Sequence, residues 1–200
     1  MIETDEKLIE RCAGGDTGAL EELMGRYRDP LMAFMVGMIR DYHRAQEAYQ
    51  DTFIRVFRGA PKFRAGKKFK TWLYAIAANR CRDELRSMKR KRTWSLDAPL
   101  TSEEEEGTTH GDLLEYPGPG PGDEAAAAEF REMLDRELRE LSAAHREVVV
   151  LNRINGLTYR EIAEVTGVPP GTVRSRLHYA LEHLRLRLSR YLDEGNEETT

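Results

Sequence analysis

Apolar residues recur at helical spacing through the first 92 residues, and short polar breaks separate the runs. The pattern predicts a first helix over residues 5–13, which places Leu8, Ile9 and Cys12 on its inner face. Two glycines end this helix, and Asp16 is suited to cap a second helix that ends near residue 28. The first part of the chain is therefore expected to be helical throughout.

Three further helices are predicted in the same half of the chain. Pro30 opens a third helix, whose sequence LMAFMVGMI is apolar nearly all round and is therefore expected at the centre of the fold. Asp41 caps a fourth helix over residues 42–58, which a glycine and a proline end. A basic loop then leads to a long helix over about residues 71–91.

The last third of the chain also shows helical periodicity. A helix over residues 124–141 places Phe130 and Leu138 inward, and Ser142 is suited to cap the helix that follows. The run VVVL at 148–151 has helical flanks, so it is interpreted as a buried stripe of a helix rather than as a strand.

Residues 156–188 have the organisation of a helix-turn-helix. Thr158 and Glu161 have the spacing of a capping box, which predicts a helix start, and Gly167 can adopt the left-handed conformation that ends this helix. Pro170 fits the first turn of the next helix, because an amide hydrogen has no intrahelical partner there. The second helix carries an apolar stripe formed by Val173, Leu177, Leu181, Leu184 and Leu188.

The opposite face of this second helix is polar and basic. Its residues are Gly171, Thr172, Arg174, Ser175, Arg176, His178 and Tyr179. Hydroxyls, guanidinium groups and an imidazole near a helix N-terminus suit contacts with phosphates and with base edges in the major groove. We therefore expect this helix to lie on duplex DNA; a solvated helix of a small bundle is the alternative interpretation.

Charge is strongly segregated along the chain, although the formal net charge is only −4. Residues 55–92 hold 14 Lys and Arg against two Asp and Glu, whereas residues 93–129 hold ten acidic residues and no Lys or Arg. The segment 93–123, which contains EEEE and PGPGPG, has too little apolar surface to fold alone and predicts a flexible acidic linker. The expected fold is all-α, with two small helical domains at residues 1–92 and 124–192 and an acidic tail at residues 193–200.

The segment 62–92 interleaves aromatic residues with a dense set of cations. Aromatic faces stack on unpaired bases while Lys and Arg hold the backbone, so this composition favours single-stranded or opening DNA. Asn79 is expected on the outer side of the helix, with a short amide able to read a base edge. Trp72 is equally consistent with a core position and with a DNA contact, and both alternatives stay open.

Several function classes are disfavoured by the sequence. The five His residues lack the spacing of metal ligands, and the sequence has no nucleophile motif and no phosphate-binding loop. Asp83 and Glu84 are interpreted as local ion partners. We therefore expect no catalysis, metal or cofactor. Cys12 and Cys81 are far apart in sequence, which favours a reducing compartment. The runs of apolar residues are too short for a membrane span, and the acidic N-terminus is unlike a secretion signal. We expect a cytoplasmic protein that neither inserts into membranes nor acts on a small-molecule substrate.

Three motifs, in this order, resemble those of the extracytoplasmic-function sigma factors, the small two-domain type of the sigma-70 family of bacterial RNA polymerase. They are AxxAxQDTFxRVFR at 45–58, FKTWLYAIAAN at 69–79 and GLTYREIAEVTGVPPGTVRSRL at 156–177. The resemblance covers about residues 8–92 and 125–192. It implies a factor that binds core RNA polymerase, recognises a −35 duplex and opens the −10 element of a promoter.

The resemblance also implies roles for three sets of residues and for two further features. The set implied to bind core polymerase is Arg44, Gln46, Glu47, Gln50 and Asp51. The set implied to bind −10 DNA is Arg64, Lys67, Lys68, Phe69, Lys70, Trp72, Asn79 and Arg80. The set implied to bind −35 DNA is Gly171, Thr172, Arg174, Ser175, Arg176 and His178. A separate anti-sigma protein is the implied regulator. The acidity of the linker, which the resemblance places in a channel of the polymerase, suggests the hypothesis that it imitates nucleic acid until nascent RNA displaces it.

A stand-alone helix-turn-helix regulator that binds duplex DNA without polymerase is the alternative function. It accounts for residues 156–192 but gives no reason for the second basic and aromatic segment. It also predicts a dimer on a palindromic site, and the sequence has no obvious dimerisation helix.

Overall fold

The computed structural model describes residues 3–64, 66–95 and 124–197, which form two compact units. The helices of the first unit are α1 (Asp5–Ala13), α2 (Thr17–Ile39), α3 (Tyr42–Gly59) and α4 (Phe69–Ser95). Those of the second unit are α5 (Glu124–Glu140), α6 (Ala143–Val149), most of α7 (Tyr159–Thr166), and α8 (Pro170–Glu197). The described residues contain no strand, and the all-α prediction is confirmed.

Side-chain caps fix the starts of the helices in the first unit. Asp16 Oδ1 accepts a hydrogen bond from the amide of Ala19 at 3.2 Å, and Asp41 Oδ1 accepts one from the amide of Arg44 at 2.9 Å. Each bond satisfies an amide that has no partner within its helix. Gly15, with φ +90°, follows the end of α1 as predicted, since glycine adopts this conformation without steric cost.

The prediction that Pro30 starts a new helix is wrong. α2 continues through Pro30 and joins the two helices that the sequence separates near residue 28. A proline inside a helix removes one hydrogen bond and costs about 3 kcal/mol. Every residue from Leu31 to Ile39 is buried, whereas Pro30 itself is exposed. Burial of the apolar run therefore outweighs the local preference for a break.

The core of the first unit forms where α2, α3 and α4 meet. Phe34 and Tyr74 are fully buried there and pack edge to face, with ring centroids 5.6 Å apart. α1 covers another side of this core with Leu8 and Ile9, which are also fully buried as predicted. α3 and α4 therefore pack against the same core.

α4 is longer than the sequence predicts. It begins at Phe69, before the predicted start at residue 71, and it continues to Ser95. Residues 93–95, the start of the predicted linker segment, thus lie in the last turn of α4. The remainder of the predicted linker, 96–123, lies outside the described residues.

The second unit begins with α5 and α6. Ser142 Oγ accepts a hydrogen bond from the amide of His145 at 3.4 Å, so the predicted cap of α6 is confirmed. α6 passes directly into one π-helical turn, Val150–Ile154, and the VVVL run is helical and buried as predicted. Leu138 of α5 is buried as expected, while the side chain of Phe130 lies outside the described part.

α8 buries its predicted apolar stripe against the rest of the second unit. Val173, Leu177 and Leu184 are buried, and Leu181 and Leu188 are half-buried. The helix continues to Glu197, so the acidic tail predicted from residue 193 starts as helix. Val168, in the preceding turn, is half-buried.

Candidate nucleic-acid interfaces

An aromatic cluster forms where the basic loop meets the start of α4. The ring of Trp72 packs against those of Phe63 and Phe69, with centroid distances of 5.2 and 6.1 Å. Phe69 also meets the ring of Tyr27 from α2 edge to face, at 5.5 Å. Tilted and edge-to-face contacts of this kind are the favoured geometries of aromatic pairs. The cluster holds Trp72 half-buried at the surface of the first unit.

Phe69 is the buried member of this aromatic cluster. Its side chain is fully buried against Tyr27, so the prediction that Phe69 contacts −10 DNA directly is corrected. The half-buried position of Trp72 is compatible with both alternatives left open by the sequence, and its contact with DNA stays a prediction. A Cβ added to Gly59 would lie 3.1 Å from the indole, so Trp72 packs directly on the end of α3.

A carboxylate from α1 holds the start of α4. The backbone amide of Phe69 donates a hydrogen bond to Glu6 Oε1 at 3.0 Å, which satisfies an amide that begins a helix. The neighbouring Asp5 accepts hydrogen bonds from the hydroxyl of Tyr27 and the guanidinium of Arg26, each at 2.6 Å. The sequence gives no signal for these contacts, because no local spacing connects α1 with α4.

The basic loop surrounds the aromatic cluster with cations. Lys62, Arg64, Lys67 and Lys68 are exposed, and Lys70 is half-buried in the first turn of α4. Exposed cations neutralise phosphates, while an accessible aromatic face stacks on a base. This end of α4 therefore offers both interactions that a single strand of DNA requires.

Asn79 and Arg80 follow along α4 and differ in accessibility. Asn79 is exposed as predicted, and its Oδ1 accepts a hydrogen bond from Arg82 at 2.7 Å. The side chain of Arg80 is only 16% exposed, because two carboxylates hold it. Its Nε pairs with Asp51 and its Nη1 with Glu84, both at 2.9 Å. Arg80 thus lies within an ion-pair network.

This network connects α3 with α4. Glu84 Oε1 accepts a hydrogen bond from Arg44 Nη1 at 2.8 Å, and Arg44 Nε also pairs with Asp41 at 3.1 Å. At the other end, Asp51 pairs with Arg55 at 2.9 Å. The side chain of Glu84 is only 12% exposed. A carboxylate so removed from water is stable as an ion only with partners of this kind.

The charges of the network stabilise one another. Burial disfavours the charged form of Glu84, but hydrogen bonds from Arg80 and Arg44 outweigh it and hold the pKa of the carboxyl below its ordinary value. The hydrogen bond to Glu84 is also the main reason why the pKa of Arg44 is raised. Glu84 is therefore ionised at neutral pH.

The outer face of α3 carries the residues implied to bind polymerase. Gln46, Glu47 and Gln50 are exposed, and Asp51 is half-buried at the edge of the network. Ile54 lies on the same side of the helix, one turn beyond Gln50, and is 49% exposed. Ile54 is not among the residues predicted for this face, although an apolar position outside the inward-facing pattern of α3 is a visible signal in the sequence.

A groove of about 460 Å³ lies beside this face. Residues of α2 and α3 line it together, among them Met24, Met32, Tyr42 and Gln46. The hydroxyl of Tyr49 donates a hydrogen bond to the backbone oxygen of Met24 at 3.0 Å and so ties the two helices together. The sequence could not predict the groove, because its walls come from separate helices.

The helix-turn-helix has the predicted local structure. The amide of Thr158 donates to Glu161 Oε2 at 2.9 Å, and the amide of Glu161 donates to Thr158 Oγ1 at 3.3 Å, so the capping box is confirmed. Gly167, with φ +71°, follows α7 and turns the chain towards α8. α8 begins at Pro170, as predicted from its place in a first helical turn.

The first turns of α8 present the predicted polar face. Gly171, Arg174, Ser175 and His178 are exposed, and Thr172 and Arg176 are half-buried. The ring of His178 lies 3.7 Å from the carboxylate of Glu182, measured from Nε2 to Oε2. The face is thus basic and accessible at the end of the helix that suits major-groove contacts.

Within residues 3–64, 66–95 and 124–197, no group of His, Cys, Asp and Glu is arranged to hold a metal ion. None of the helices in those ranges is long and apolar enough to cross a membrane. Cys12 and Cys81 are both buried as thiols.

Curated relatives match nearly the whole chain. The ECF RNA polymerase sigma factor SigW of Bacillus subtilis (strain 168) is 32% identical to it, over 92% of this chain and 96% of the relative. The RNA polymerase sigma factor CarQ of Myxococcus xanthus is 33% identical, over 88% of this chain and 93% of the relative. The chain belongs to the extracytoplasmic-function sigma factors of the sigma-70 family.

Family models locate both characteristic regions of this sigma factor. The model of Sigma-70 region 2 matches residues 23–92, and the model of Sigma-70, region 4 matches residues 131–184. Region 2 thus contains α3 and the aromatic cluster of α4, while region 4 contains the helix-turn-helix.

Solved structures have the same fold as this sigma factor. CnrH, in complex with the cytosolic domain of CnrY, aligns with a TM-score of 0.65 at 23% identity, over 94% of this chain and 99% of that chain. The sigma factor RpoE of Bartonella quintana, in complex with the anti-sigma factor NepR, aligns with a TM-score of 0.65 at 22% identity, over 84% and 96% of the two chains. Both likenesses support the helical architecture.

Proposed function

We propose that this sigma factor binds core RNA polymerase in the cytoplasm and directs promoter-specific initiation, reading a −35 duplex with α8 and opening a −10 element at α4. The observation that carries the proposal is the presence of regions 2 and 4 in one chain, each with an exposed basic surface. Catalysis belongs to the polymerase, and this chain supplies binding energy and sequence selection.

At the −10 element, the loop cations and Trp72 act together. Arg64, Lys67 and Lys68 bind phosphates of the non-template strand, and the exposed part of the Trp72 ring stacks on an unpaired base. Lys70 extends the same positive surface, while buried Phe69 keeps Trp72 in place. Removing a base from the duplex costs a few kcal/mol of stacking, which these contacts offset.

Farther along α4, Asn79 and Arg80 complete the proposed −10 site. The exposed amide of Asn79 can donate to and accept from a base edge, so it suits sequence selection. Arg80 contributes a positive charge whose position is set by Asp51 and Glu84.

At the −35 element, the N-terminal turns of α8 lie in the major groove. Gly171 and Thr172 bring backbone amides near phosphates, which a helix N-terminus favours. The exposed side chains of Arg174, Ser175 and His178 read base edges. Arg176 is the remaining member of the set, and its half-buried side chain suits a phosphate beside the groove.

On core polymerase, the partner surface is the outer face of α3. Gln46, Glu47 and Gln50 supply exposed polar contacts. Arg44 and Asp51 flank them from within the ion-pair network, where each keeps about a third of its side chain exposed. The adjoining groove and the apolar side chain of Ile54 give this face the mixed character of a protein interface.

The proposed domain limits are 1–92 and 124–192, with the acidic segment 93–123 between them. Its composition suits a mimic of nucleic acid in a basic channel, which nascent RNA displaces. Neutralising the four glutamates at 103–106 is therefore expected to change promoter escape, and unchanged escape contradicts the proposed role.

A separate anti-sigma protein is the proposed regulator of this chain. The solved relatives support this partner, because RpoE was captured with the anti-sigma factor NepR. Such a protein would compete with polymerase or promoter DNA for the same faces of α3, α4 or α8.

Run-off transcription with purified bacterial core polymerase and a pooled promoter library tests the proposed function. With this chain present, we expect new transcripts whose templates share a −35 and a −10 element. Transcripts that are the same with and without the chain contradict the proposal. Tight duplex binding without core, on a palindromic site, would favour the stand-alone regulator instead.

A further inference from the structure

Glu84 stands at the centre of the ion-pair network and belongs to none of the proposed binding sets. The sequence interpretation gives it a local partner, and the Arg80 pair one turn away is of that kind. Its second partner, Arg44, lies on another helix and 40 positions earlier in the chain. This carboxylate therefore joins the polymerase-facing helix α3 to the DNA-facing helix α4.

We propose that Glu84 is a positioning residue that couples polymerase docking on α3 to promoter-strand binding on α4. Its two carboxylate oxygens each hold one arginine, with Arg44 on Oε1 and Arg80 on Oε2. Both arginines thereby keep one geometry, and neither acts independently of the other. The inference rests on the proposed function of the two faces.

Asp51 supplies the other half of the link. It belongs to the proposed polymerase-binding set and pairs with Nε of Arg80 at 2.9 Å, so Arg80 is shared between Asp51 and Glu84. When a polymerase group competes for Asp51, Glu84 retains Arg80 and leaves its Nε side available to a phosphate. Docking on α3 thus increases the affinity of α4 for the promoter strand.

Linkage makes this coupling measurable in either direction. If bound core raises the affinity of the chain for single-stranded DNA, then the same DNA must raise the affinity of the chain for core by the same factor. A carboxylate that only stabilises the fold would change the melting temperature but leave this factor unchanged. The tightening factor, defined as the ratio of the Kd values for core without and with the oligonucleotide, therefore distinguishes positioning from simple support.

Glu84→Gln and Asp83→Asn form a matched pair of variants. Both remove one negative charge from adjacent positions of α4 and keep the size of the side chain. Asp83 is exposed and pairs only locally, with Arg86 in the next turn, so its removal is expected to leave the α3–α4 link intact. Asp51→Asn removes the other carboxylate that pairs with Arg80. Because Asp51 is more exposed than Glu84, this variant is expected to fold.

The experiment measures Kd of the full-length labelled chain for core polymerase, with and without a single-stranded oligonucleotide. The oligonucleotide carries the non-template −10 strand of a promoter recovered from the library, and a scrambled strand is the control. We expect the tightening factor to fall by about fivefold in Glu84→Gln, within the usual range of coupling between sites. Asp83→Asn should keep the factor of the wild type, and Asp51→Asn should reduce it.

The double variant Asp51→Asn/Glu84→Gln should lower the factor no further than the stronger single change, because both act through Arg80. Equal factors in wild type, Glu84→Gln and Asp51→Asn overturn the proposal. If Glu84→Gln does not fold, the factor in Asp51→Asn decides alone. A wild-type chain that binds no core contradicts the proposed function itself, and this result is distinct from intact binding with unchanged coupling.

Discussion

Glu6 on α1 accepts a hydrogen bond from the backbone amide of Phe69, at the start of α4, over 3.0 Å. The two residues are 63 positions apart, yet the contact serves as a helix cap. Because Phe69 packs beside Trp72, the position of α1 also determines where the exposed indole stands. A helix with no proposed DNA contact thus helps to position the proposed −10 site.

Loss of this cap should weaken the first unit. Glu6→Ala is expected to lower the free energy of unfolding by about 1 kcal/mol, the usual cost of removing a helix cap. Urea denaturation measures the change. Glu10→Ala, at an exposed position of the same helix, is the control and should cost less. Equal losses in the two variants would show that the cap contributes nothing.

Trp72 should dominate binding of the single strand. Trp72→Ala is expected to raise the Kd of the holoenzyme for a −10 oligonucleotide by about 5- to 150-fold, which corresponds to a stacking contribution of about 1–3 kcal/mol. Trp72→Phe should retain part of the affinity. Tyr159→Ala removes an exposed aromatic ring from α7 and should leave this Kd unchanged. An unchanged Kd in Trp72→Ala would mean that the ring is only a core residue.

The stabilisation from Glu84 should depend on pH. The Glu84→Gln variant is expected to be less stable than wild type by an amount on the order of 1–3 kcal/mol at neutral pH, since hydrogen bonds to a charged group are lost. The folded-state pKa of Glu84 is lowered, so folding favours the ionised form. The difference should therefore be complete above the ordinary carboxyl pKa of about 4.3 and disappear as the pH falls further.

Unfolding free energies of wild type and Glu84→Gln at several pH values measure this dependence. Asp83→Asn serves as the control, because Asp83 is exposed and lies outside the link to α3. A stability difference that grows on acidification would contradict the assigned direction of the pKa shift.

Arg174 should determine selection within the −35 element. If its exposed guanidinium reads a base edge, Arg174→Ala weakens holoenzyme binding by about 1–3 kcal/mol and relaxes the preference at one base pair. Arg185→Ala is the matched control, on the same side of α8 about three turns farther on. Binding to a panel of −35 duplexes measures both effects. A uniform loss of affinity across the panel would indicate that Arg174 contacts a phosphate instead of a base edge.

Local signals in the sequence predicted the parts of the fold that depend on neighbouring residues. Asp16, Asp41 and the Thr158–Glu161 box all cap helices as expected, because a cap requires only residues within one turn. The same holds for Gly167, whose positive φ follows α7. The three motifs of the family likewise predicted membership that the curated relatives establish.

Features that depend on which helices meet could not be predicted in this way. Pro30 stays inside α2 because the following residues are buried by α3 and α4, and this burial is a tertiary effect. Phe69 is buried for a similar reason, since Tyr27 lies over it. The contacts of Glu6 with Phe69 and of Glu84 with Arg44 connect distant positions, and no spacing in the sequence reveals them.

Promoter opening at the −10 element is the most direct measure of the proposed function. A promoter recovered from the library, with 2-aminopurine at the −10 non-template position expected to leave the duplex, is mixed with core polymerase and this chain. We expect a rise in fluorescence that requires both core and the chain, persists in Asp83→Asn and is lost in Trp72→Ala. Tight binding of the chain alone to the duplex, with no rise when core is added, would contradict it.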